Sequence, residues 1–207
     1  KQVSENLSIY KSYPKLIGET GGKDFIFAHN SAHPLELATA IVRGAFEYQG
    51  QKCSAASRSY IPASIWDETR QHILRMISEI KTGDVTDFRN FVNAVIDEES
   101  WDRIMSYINK AKESENAKII AGGKGDKSKG YFIEPTVIVT EDPNFITMRE
   151  EIFGPVMSIY IYADDKFEDT LRLCDETSPY ALTGSIFSND KYSMIKACRA
   201  LRYAAGN

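Results

Sequence analysis

The stretch "FEYQGQKCSA" places one cysteine, Cys53, on a connection between a predicted helix and a predicted strand. A cysteine thiolate is a strong nucleophile, and the positive charges of Lys52 and Arg58 could favour that form of the side chain. Cys53 is therefore a candidate nucleophile, expected at the edge of the sheet, where α/β proteins usually place their sites. A small buried apolar residue is the alternative, because free cysteine is among the most buried residue types.

A second candidate is the carboxylate of Glu19 in "KLIGETGGKDF". A covalent intermediate needs a group that activates the water that later releases it, and a carboxylate can take this role. Gly18 precedes Glu19 and Gly21 follows it closely, so the backbone can approach a ligand there. We expect this carboxylate where a strand ends. A turn with a solvated glutamate is the alternative interpretation.

A third cluster, "MREEIFGPV", sets Glu150, Glu151 and Phe153 ahead of a Gly-Pro turn. Taken alone, it predicts only a charged loop with one apolar anchor.

The two other cysteines, Cys174 and Cys198, fall within helical patterns, and we expect both to be buried apolar residues.

Composition restricts the class of protein. The chain has 207 residues, 43% of them hydrophobic, and a formal net charge of -4. This length suggests one domain with a sizeable core, and the acidic balance argues against nucleic acid or an anionic membrane as a partner. No run approaches the roughly 18 apolar residues of a membrane span, so we expect a soluble protein. Three widely spaced cysteines fit a reducing compartment.

Short β-rich runs alternate with longer helical stripes along the chain. The strands are predicted in "DFIFAHN", "SRSYIP", "AKIIA", "EPTVIV", "PVMSIYIYA" and "ALTGSIFS". The helices are predicted in "HPLELATAIVRGAFEYQG", "ASIWDETRQHILRMISEI", residues 97–112, "KFEDTLRLCDET" and "DKYSMIKACRALRYAA". This alternation predicts an α/β fold with a mainly parallel open sheet flanked by helices.

Taken together, the three clusters carry a family resemblance. "ETGGK", "FEYQGQKC" and "EEIFGPV" resemble, in this order, the base, nucleophile and cofactor-contact segments of the aldehyde dehydrogenase superfamily. Thr20, with "GQKCSA", "GYFIEPT", "YALTGSIFS" and "LRYAAGN", is similar to the branch of that superfamily that oxidises glutamate 5-semialdehyde. The resemblance covers essentially the whole chain.

The resemblance implies a role for each matching residue. Cys53 would attack the aldehyde carbon, and Glu19 would activate the water that hydrolyses the resulting thioester. Glu151 would bind the nicotinamide ribose of NAD+, and the Phe153 side chain would form one side of the nicotinamide pocket. The backbone of Thr20 and Gly21 would face the nicotinamide amide. Our own inference adds Lys52 and Ser54 as donors to the substrate's distal carboxylate.

The resemblance also implies a setting for this chain. Residues 1–207 would be the nucleophile-bearing catalytic domain of a longer polypeptide, with the cofactor-binding domain and a C-terminal tail outside it. The protein would bind NAD and a small aldehyde and would take part in proline degradation. It would bind neither nucleic acid nor a membrane, and it would form a homo-oligomer. It would work in the mitochondrial matrix if eukaryotic and in the cytoplasm otherwise.

Other interpretations stay open at this point. The chain could oxidise another aldehyde, or be catalytically inert as an isolated fragment. A cysteine hydrolase would pair Cys53 with His29, His33 or His72 and act without NAD+. A metal site at His29 and His33 is disfavoured, because the pair falls at a strand end before a proline rather than within a helix.

Overall fold

The computed structural model describes residues 2–12 and 14–206 of the chain. The strands are β1 (Asp24–Ala28), β2 (Ala56–Pro62), β3 (Ala117–Ala121), β4 (Gly125–Asp126), β5 (Phe132–Ile133), β6 (Thr136–Thr140), β7 (Val156–Tyr162) and β8 (Gly184–Phe187). The helices are α1 (Gln2–Glu5), α2 (Pro34–Phe46), α3 (Ala63–Glu79), α4 (Glu98–Glu113), α5 (Ile146–Arg149), α6 (Phe167–Glu176) and α7 (Lys191–Ala200). Short 3-10 helices span Leu7–Ile9, Glu47–Gly50 and Asp164–Lys166.

Six strands form one sheet in the order β3-β6-β7-β2-β1-β8. All neighbouring strands are parallel except β3, which pairs antiparallel with β6 at one edge. This arrangement confirms the predicted mainly parallel α/β sheet. Among the described residues, no helix combines the length and the apolar character needed to cross a membrane.

Strand β1 lies inside the sheet, and all five of its residues are buried. Ile26 packs with the core residues of α2 and α3 on one face, whereas Phe25 and Phe27 pack with those of α6 and α7 on the other. Successive side chains of a strand point to opposite faces, so a parallel strand covered on both sides reads as a continuous apolar run. The run "DFIFA" is such a strand.

The helices begin and pack largely as their sequences predict. Pro34 occupies the first turn of α2, where its missing N–H costs no hydrogen bond. Helix α4 begins after Asp97, whose side chain accepts a hydrogen bond from the Ser100 amide at 2.8 Å. Ile104 and Ile108 of α4 are buried, and the partly buried Trp101 and Met105 pack against the same cluster.

The structure adds detail on one connection and on the two remaining cysteines. The Gly/Lys-rich connection between β3 and β6 contains a small hairpin, in which β4 and β5 pair antiparallel. Cys174 is buried as predicted, and its burial raises the pKa of the thiol to about 12. The prediction for Cys198 is wrong, since this thiol is exposed on α7. It lies on the solvent side of a helix of which Ala197 is the buried residue.

Charged groups lie inside the layer between the sheet and α6. Arg58 is 1% exposed, and its guanidinium donates hydrogen bonds to the Lys23 carbonyl, the Tyr60 hydroxyl and the Cys174 carbonyl. The Arg58 side chain is therefore held in the interior by these three acceptors. Burial raises the pKa of the neighbouring Tyr60 phenol to about 12.

Lys23 is also 1% exposed, and its Nζ has no hydrogen-bond partner among the described residues. Burial, and next the charge of Arg58, lower the pKa of this amine from 10.5 to about 7. Below pH 7 the amine is protonated in both the folded and unfolded states, and the folded state carries the cost of a buried charge. Between about pH 7 and 10.5 only the unfolded chain still binds the proton, so stability rises with pH.

We predict that Lys23→Met raises the free energy of unfolding most at pH 6 to 7, and that this gain shrinks as pH rises towards 10. The difference changes by at most about 1.4 kcal/mol per pH unit, which is the linkage limit for one proton. Urea unfolding of both proteins across this range measures it. Lys118→Met, at an exposed lysine of β3, is the control and should show no such trend. A pH-independent difference for Lys23→Met contradicts the prediction.

Candidate active site

The candidate site residues lie at the amino edge of the sheet, by which we mean the side where the parallel strands begin. Cys53 precedes β2, Glu151 precedes β7, and Glu19 lies in the irregular segment before β1. Since β1, β2 and β7 are mutually parallel, the segments that enter them meet at one edge. The expectation for Glu19 needs correction, because this residue precedes a strand rather than ending one. Ligands of open α/β sheets usually bind at the carboxyl ends of the strands, whereas these residues lie at the amino ends.

Cys53 occupies an exposed turn. The Ala55 amide donates a hydrogen bond to the Lys52 carbonyl at 3.1 Å, which closes a four-residue turn with Cys53 and Ser54 at its centre. The thiol is therefore presented to solvent, and the alternative of a buried apolar cysteine does not hold for Cys53. The exposed thiol satisfies the first requirement of a nucleophile, which is access to its substrate.

Gly22 joins the nucleophile turn, our name for residues 52–55 with the candidate nucleophile Cys53, to the acidic segment, residues 149–153. A Cβ at Gly22 would lie 1.9 Å from the Cys53 carbonyl oxygen, so only glycine permits this approach. The amide of Gly22 donates a hydrogen bond to Glu151 Oε1 at 2.8 Å. Gly21 has a φ of 137°, and a Cβ there would lie 2.7 Å from Glu151 Oε2. The two glycines therefore form a cradle that holds the Glu151 carboxylate.

A second glycine contact ties the nucleophile turn to the same segment. Gly50, at the end of the 3-10 helix before Cys53, has a φ of 64°. A Cβ at Gly50 would lie 2.3 Å from the Gly154 carbonyl oxygen. The backbones of these two segments are therefore in direct contact. The turn is thus held from both sides, by Gly22 and by Gly154.

Helix α4 anchors the acidic segment, a role that sequence reasoning missed. Arg103 Nη1 donates to the Ile152 carbonyl, and the Tyr107 hydroxyl donates to Glu150 Oε2, both at 2.5 Å. Burial, and then the bond to the Glu150 carboxylate and its charge, raise the pKa of Tyr107 to about 12. Arg103 and Tyr107 are four positions apart on one helix face, the only sequence signal that could have paired them.

Phe153 is held in the left-handed region, with a φ of 56°, and its side chain is 38% exposed. Non-glycine residues adopt this conformation rarely, and such positions concentrate at functional sites. The Phe153 ring borders a cavity of about 350 Å³. The other residues of this cavity are Tyr48, Gln49, Gln51, Val85, Asn93, Ala94 and Ile96.

Glu19, Thr20 and Gly21 border a separate cavity of about 570 Å³, which residues 179–183 and Gly206 complete. Glu19 and Thr20 are exposed. Cys53 is not among the residues that border this cavity; it lies across the Gly22 backbone from it. The structure therefore brings the Glu19 segment and the Cys53 turn into contact through Gly22, three positions after Glu19.

Lys52 and Ser54 flank Cys53 on the exposed turn. Lys52 Nζ forms an ion pair with Glu47 Oε2 at 3.2 Å, and Glu47 also lies 3.7 Å from Arg43. Such exposed pairs contribute roughly 1 kcal/mol or less, so the pairing leaves the Lys52 ammonium able to exchange Glu47 for another carboxylate.

Among the described residues, no hydrogen bond or ion pair joins Cys53 to any of the three histidines. His29 follows β1 at the carboxyl edge, where its ring nitrogens contact the Ser31 and Ser193 hydroxyls at 2.9 and 3.1 Å. His33 directly precedes α2, and His72 pairs with Glu68 in α3 at 3.7 Å. Strand β1 has five residues and therefore spans about 17 Å. His29, which follows β1, lies about this far from the amino edge of the sheet. This arrangement does not support a cysteine-histidine hydrolase.

In the part of the chain that the structure describes, no three or more histidine, cysteine or carboxylate side chains lie where they could hold a metal ion.

Comparison with known proteins identifies the family. The profile described as "Aldehyde dehydrogenase family" matches residues 1–207. The chain is 54% identical over 209 residues to "Delta-1-pyrroline-5-carboxylate dehydrogenase, mitochondrial" of Dictyostelium discoideum, covering 100% of this chain and 38% of the relative. It is 48% identical over 208 residues to the Homo sapiens protein of that name, covering 100% of this chain and 37% of the relative. The chain thus spans a little over a third of these relatives.

A solved structure agrees in fold as well as in sequence. The crystal structure of the delta-pyrroline-5-carboxylate dehydrogenase from Mycobacterium tuberculosis bound with NAD superposes with a TM-score of 0.89 at 43% identity. The match covers 99% of this chain and 37% of that one. With its profile matched from end to end and its sheet shared with a solved member, this chain belongs to the aldehyde dehydrogenase family.

Proposed function

We propose that the protein carrying this chain oxidises glutamate 5-semialdehyde, derived from 1-pyrroline-5-carboxylate, to glutamate with NAD+ as the acceptor. The printed names of its relatives and the NAD-bound relative support this substrate and cofactor. The observation that carries the proposal is the Gly22 contact, which joins the exposed Cys53 turn to the Glu151 carboxylate. A thiol and a ribose-binding carboxylate are thereby held on one rigid connection.

The residues present fit the nicotinamide half of NAD+. The cradle at Gly21 and Gly22 holds Glu151 by one carboxylate oxygen, which leaves acceptor capacity for ribose hydroxyls. The partly exposed ring of Phe153 offers an apolar wall, and the backbone of Thr20 and Gly21 would face the nicotinamide amide. When bound, NAD+ supplies a two-electron acceptor for the aldehyde hydride.

In the proposed mechanism, the Cys53 thiolate adds to the carbonyl carbon, and the carbonyl π electrons move to oxygen. Loss of hydride from that carbon leaves an acyl group joined to Cys53 as a thioester. Glu19 then takes a proton from water as the water oxygen attacks the thioester carbon. The carbon–sulfur bond breaks, the thiolate of Cys53 is regenerated, and the product carboxylic acid is released.

Recognition of the distal carboxylate of the substrate falls to Lys52 and Ser54 in this proposal. Both lie on the exposed turn beside Cys53, and an ammonium with a hydroxyl suits an anion. Entry of the substrate carboxylate would replace the exposed Glu47 pair of Lys52. A substrate without this carboxylate would leave Lys52 with Glu47.

The setting of the chain is part of the proposal. We assign residues 1–207 to the nucleophile-bearing domain of the protein. The mitochondrial names of the Dictyostelium discoideum and Homo sapiens relatives support a mitochondrial matrix location and a place in proline degradation. Assembly as a homo-oligomer stays a prediction from the family resemblance.

We predict that Cys53→Ala abolishes NADH formation from NAD+ and glutamate 5-semialdehyde in the complete protein, because the thioester cannot form. Absorbance of NADH measures the rate. Cys198→Ala, at the other exposed cysteine, is the matched control and should retain full activity. NAD-independent ester hydrolysis with no NADH formation in the parental protein would instead indicate a hydrolase, and an unreactive folded protein would indicate an inert chain.

We predict that Glu19→Gln slows turnover by about 100-fold or more, as expected on removing a general base, while a first burst of NADH remains. The burst persists because Glu19 acts only after hydride loss, on the thioester. Rapid-mixing kinetics separate the two phases, and Glu141→Gln at an exposed turn residue is the control. Loss of the burst together with the steady-state rate would contradict this role.

We predict that Gly22→Ala lowers kcat/KM by about 100-fold or more, the effect expected when catalytic groups are displaced by about 1 Å. The new Cβ would lie 1.9 Å from the Cys53 carbonyl oxygen, so the nucleophile turn must move. Gly18→Ala is the matched control, since the nearest atom to its Cβ is Thr20 Cγ2 at 3.8 Å. Full activity of a folded Gly22→Ala protein would show that the contact is not needed.

A further inference from the structure

A buried carboxyl group lies beside the nucleophile turn. Asp24, the first residue of β1, is 3% exposed, and its Oδ2 atom has no hydrogen-bond partner among the described residues. Its other oxygen, Oδ1, accepts a hydrogen bond from the Thr183 amide at 2.7 Å. A buried polar atom without a partner is costly, so the state of Oδ2 calls for a physical explanation.

The contact at Gly22 shows what the Oδ2 atom of Asp24 faces. A Cβ at Gly22 would lie 1.9 Å from the Cys53 carbonyl oxygen and 2.7 Å from Asp24 Oδ2, so both oxygens border the same point beside the glycine. The strand register agrees, because Asp24 pairs with Ala56, three positions after Cys53. The Asp24 carboxyl therefore faces the nucleophile turn with one oxygen and binds Thr183 with the other.

Two acceptor oxygens side by side repel each other unless a proton lies between them. A carbonyl oxygen can only accept a hydrogen bond, and so can an ionised carboxylate, whereas a protonated carboxyl group can also donate one. A proton on Asp24 Oδ2 turns the contact with the Cys53 carbonyl into a hydrogen bond. Oδ1 remains free to accept from the Thr183 amide. Protonation therefore gives both oxygens of Asp24 a partner.

The surroundings of Asp24 favour the protonated form. Burial is the largest influence and raises the pKa of its carboxyl above the usual value. The Glu151 charge acts in the same direction, whereas the Thr183 hydrogen bond and the Arg58 charge on β2 lower this pKa. The Arg58 guanidinium already donates to three acceptors. The adjacent Lys23 amine has a pKa of about 7 because of its burial, so it carries only part of a positive charge at neutral pH.

We propose that Asp24 is a positioning residue that carries a proton on Oδ2 and donates a hydrogen bond to the Cys53 carbonyl. This bond holds the nucleophile turn against β1, while Oδ1 holds Thr183, which borders the cavity of Glu19. Ionisation of Asp24 would break the bond and place a second negative charge near the Cys53 thiolate, which like-charge repulsion disfavours. The inference rests on the proposed function, because it takes Cys53 as the nucleophile.

A spectroscopic test compares infrared spectra of the complete protein and its Asp24→Asn variant at pH 7. Ordinary carboxyl groups are ionised at this pH, so the C=O stretch of a protonated carboxyl group stands apart from their bands. We expect this band in the parental protein and its loss in Asp24→Asn. Asp165→Asn, at an exposed aspartate of the 3-10 helix Asp164–Lys166, is the matched control and should keep the band. A spectrum without a band that depends on Asp24 overturns the proposal.

Two substitutions at Asp24 test the effect on the reaction. Asparagine keeps an oxygen that accepts from the Thr183 amide and supplies an N–H for the Cys53 carbonyl, whereas leucine has a similar size and neither group. We expect Asp24→Asn to retain the parental kcat. Asp24→Leu should lower kcat about 100-fold or more, the effect of displacing a catalytic group, with the KM for NAD+ little changed.

Either of two kinetic results overturns the proposal. If Asp24→Asn loses as much activity as Asp24→Leu, the site needs the ionised carboxylate. If a folded Asp24→Leu protein keeps full kcat, the hydrogen bond has no positioning role. Circular dichroism checks the fold of both variants, and the infrared band together with Asp24→Asn decides the outcome where the leucine variant does not fold.

The two proposals fail in different ways. If the band of a protonated Asp24 is present but no NADH forms from the semialdehyde, the proposed function is wrong and the hydrogen bond stands. If NADH forms normally but no band depends on Asp24, the protonated carboxyl is wrong and the proposed function stands.

Discussion

The organisation of the site depends on the Gly22 backbone, which lies where no side chain fits. A Cβ there would overlap the Cys53 carbonyl, and the amide of the same residue binds the Glu151 carboxylate. One residue thus sets the distance between the nucleophile turn and the carboxylate assigned to the cofactor. Both contacts start from the Gly22 backbone, one to the Cys53 carbonyl and one to the Glu151 side chain.

The parallel sheet explains why these groups meet. Strands β1, β2 and β7 are neighbours and run in the same direction, so the segments that enter them converge at the amino edge. At the opposite edge, the His29 ring and the Ser31 hydroxyl join the end of β1 to the residues after β8. At the carboxyl edge, hydrogen bonds join the segments that follow β1 and β8. At the amino edge, the Cys53 thiol is exposed.

Buried charge supports the site from behind. Arg58 ties the Lys23 carbonyl to the interior layer, and burial lowers the pKa of the Lys23 amine to about 7. From the other side, α4 holds the acidic segment by Arg103 and Tyr107. A buried charge is costly unless it is hydrogen-bonded, and the three acceptors of Arg58 meet this requirement.

The sequence alone determined the element types, the mainly parallel sheet and the family, because hydrophobic periodicity and the motifs around Glu19, Cys53 and Glu151 lie within short windows. Only the tertiary structure decided that the site lies at the amino edge, that Arg58 turns inward and that α4 anchors the acidic segment. Gly22 and Glu151 are 129 positions apart, and no local pattern encodes which distant segments share an edge. Strand order and direction decide it, because these bring remote segments such as those of Gly22 and Glu151 within hydrogen-bonding distance.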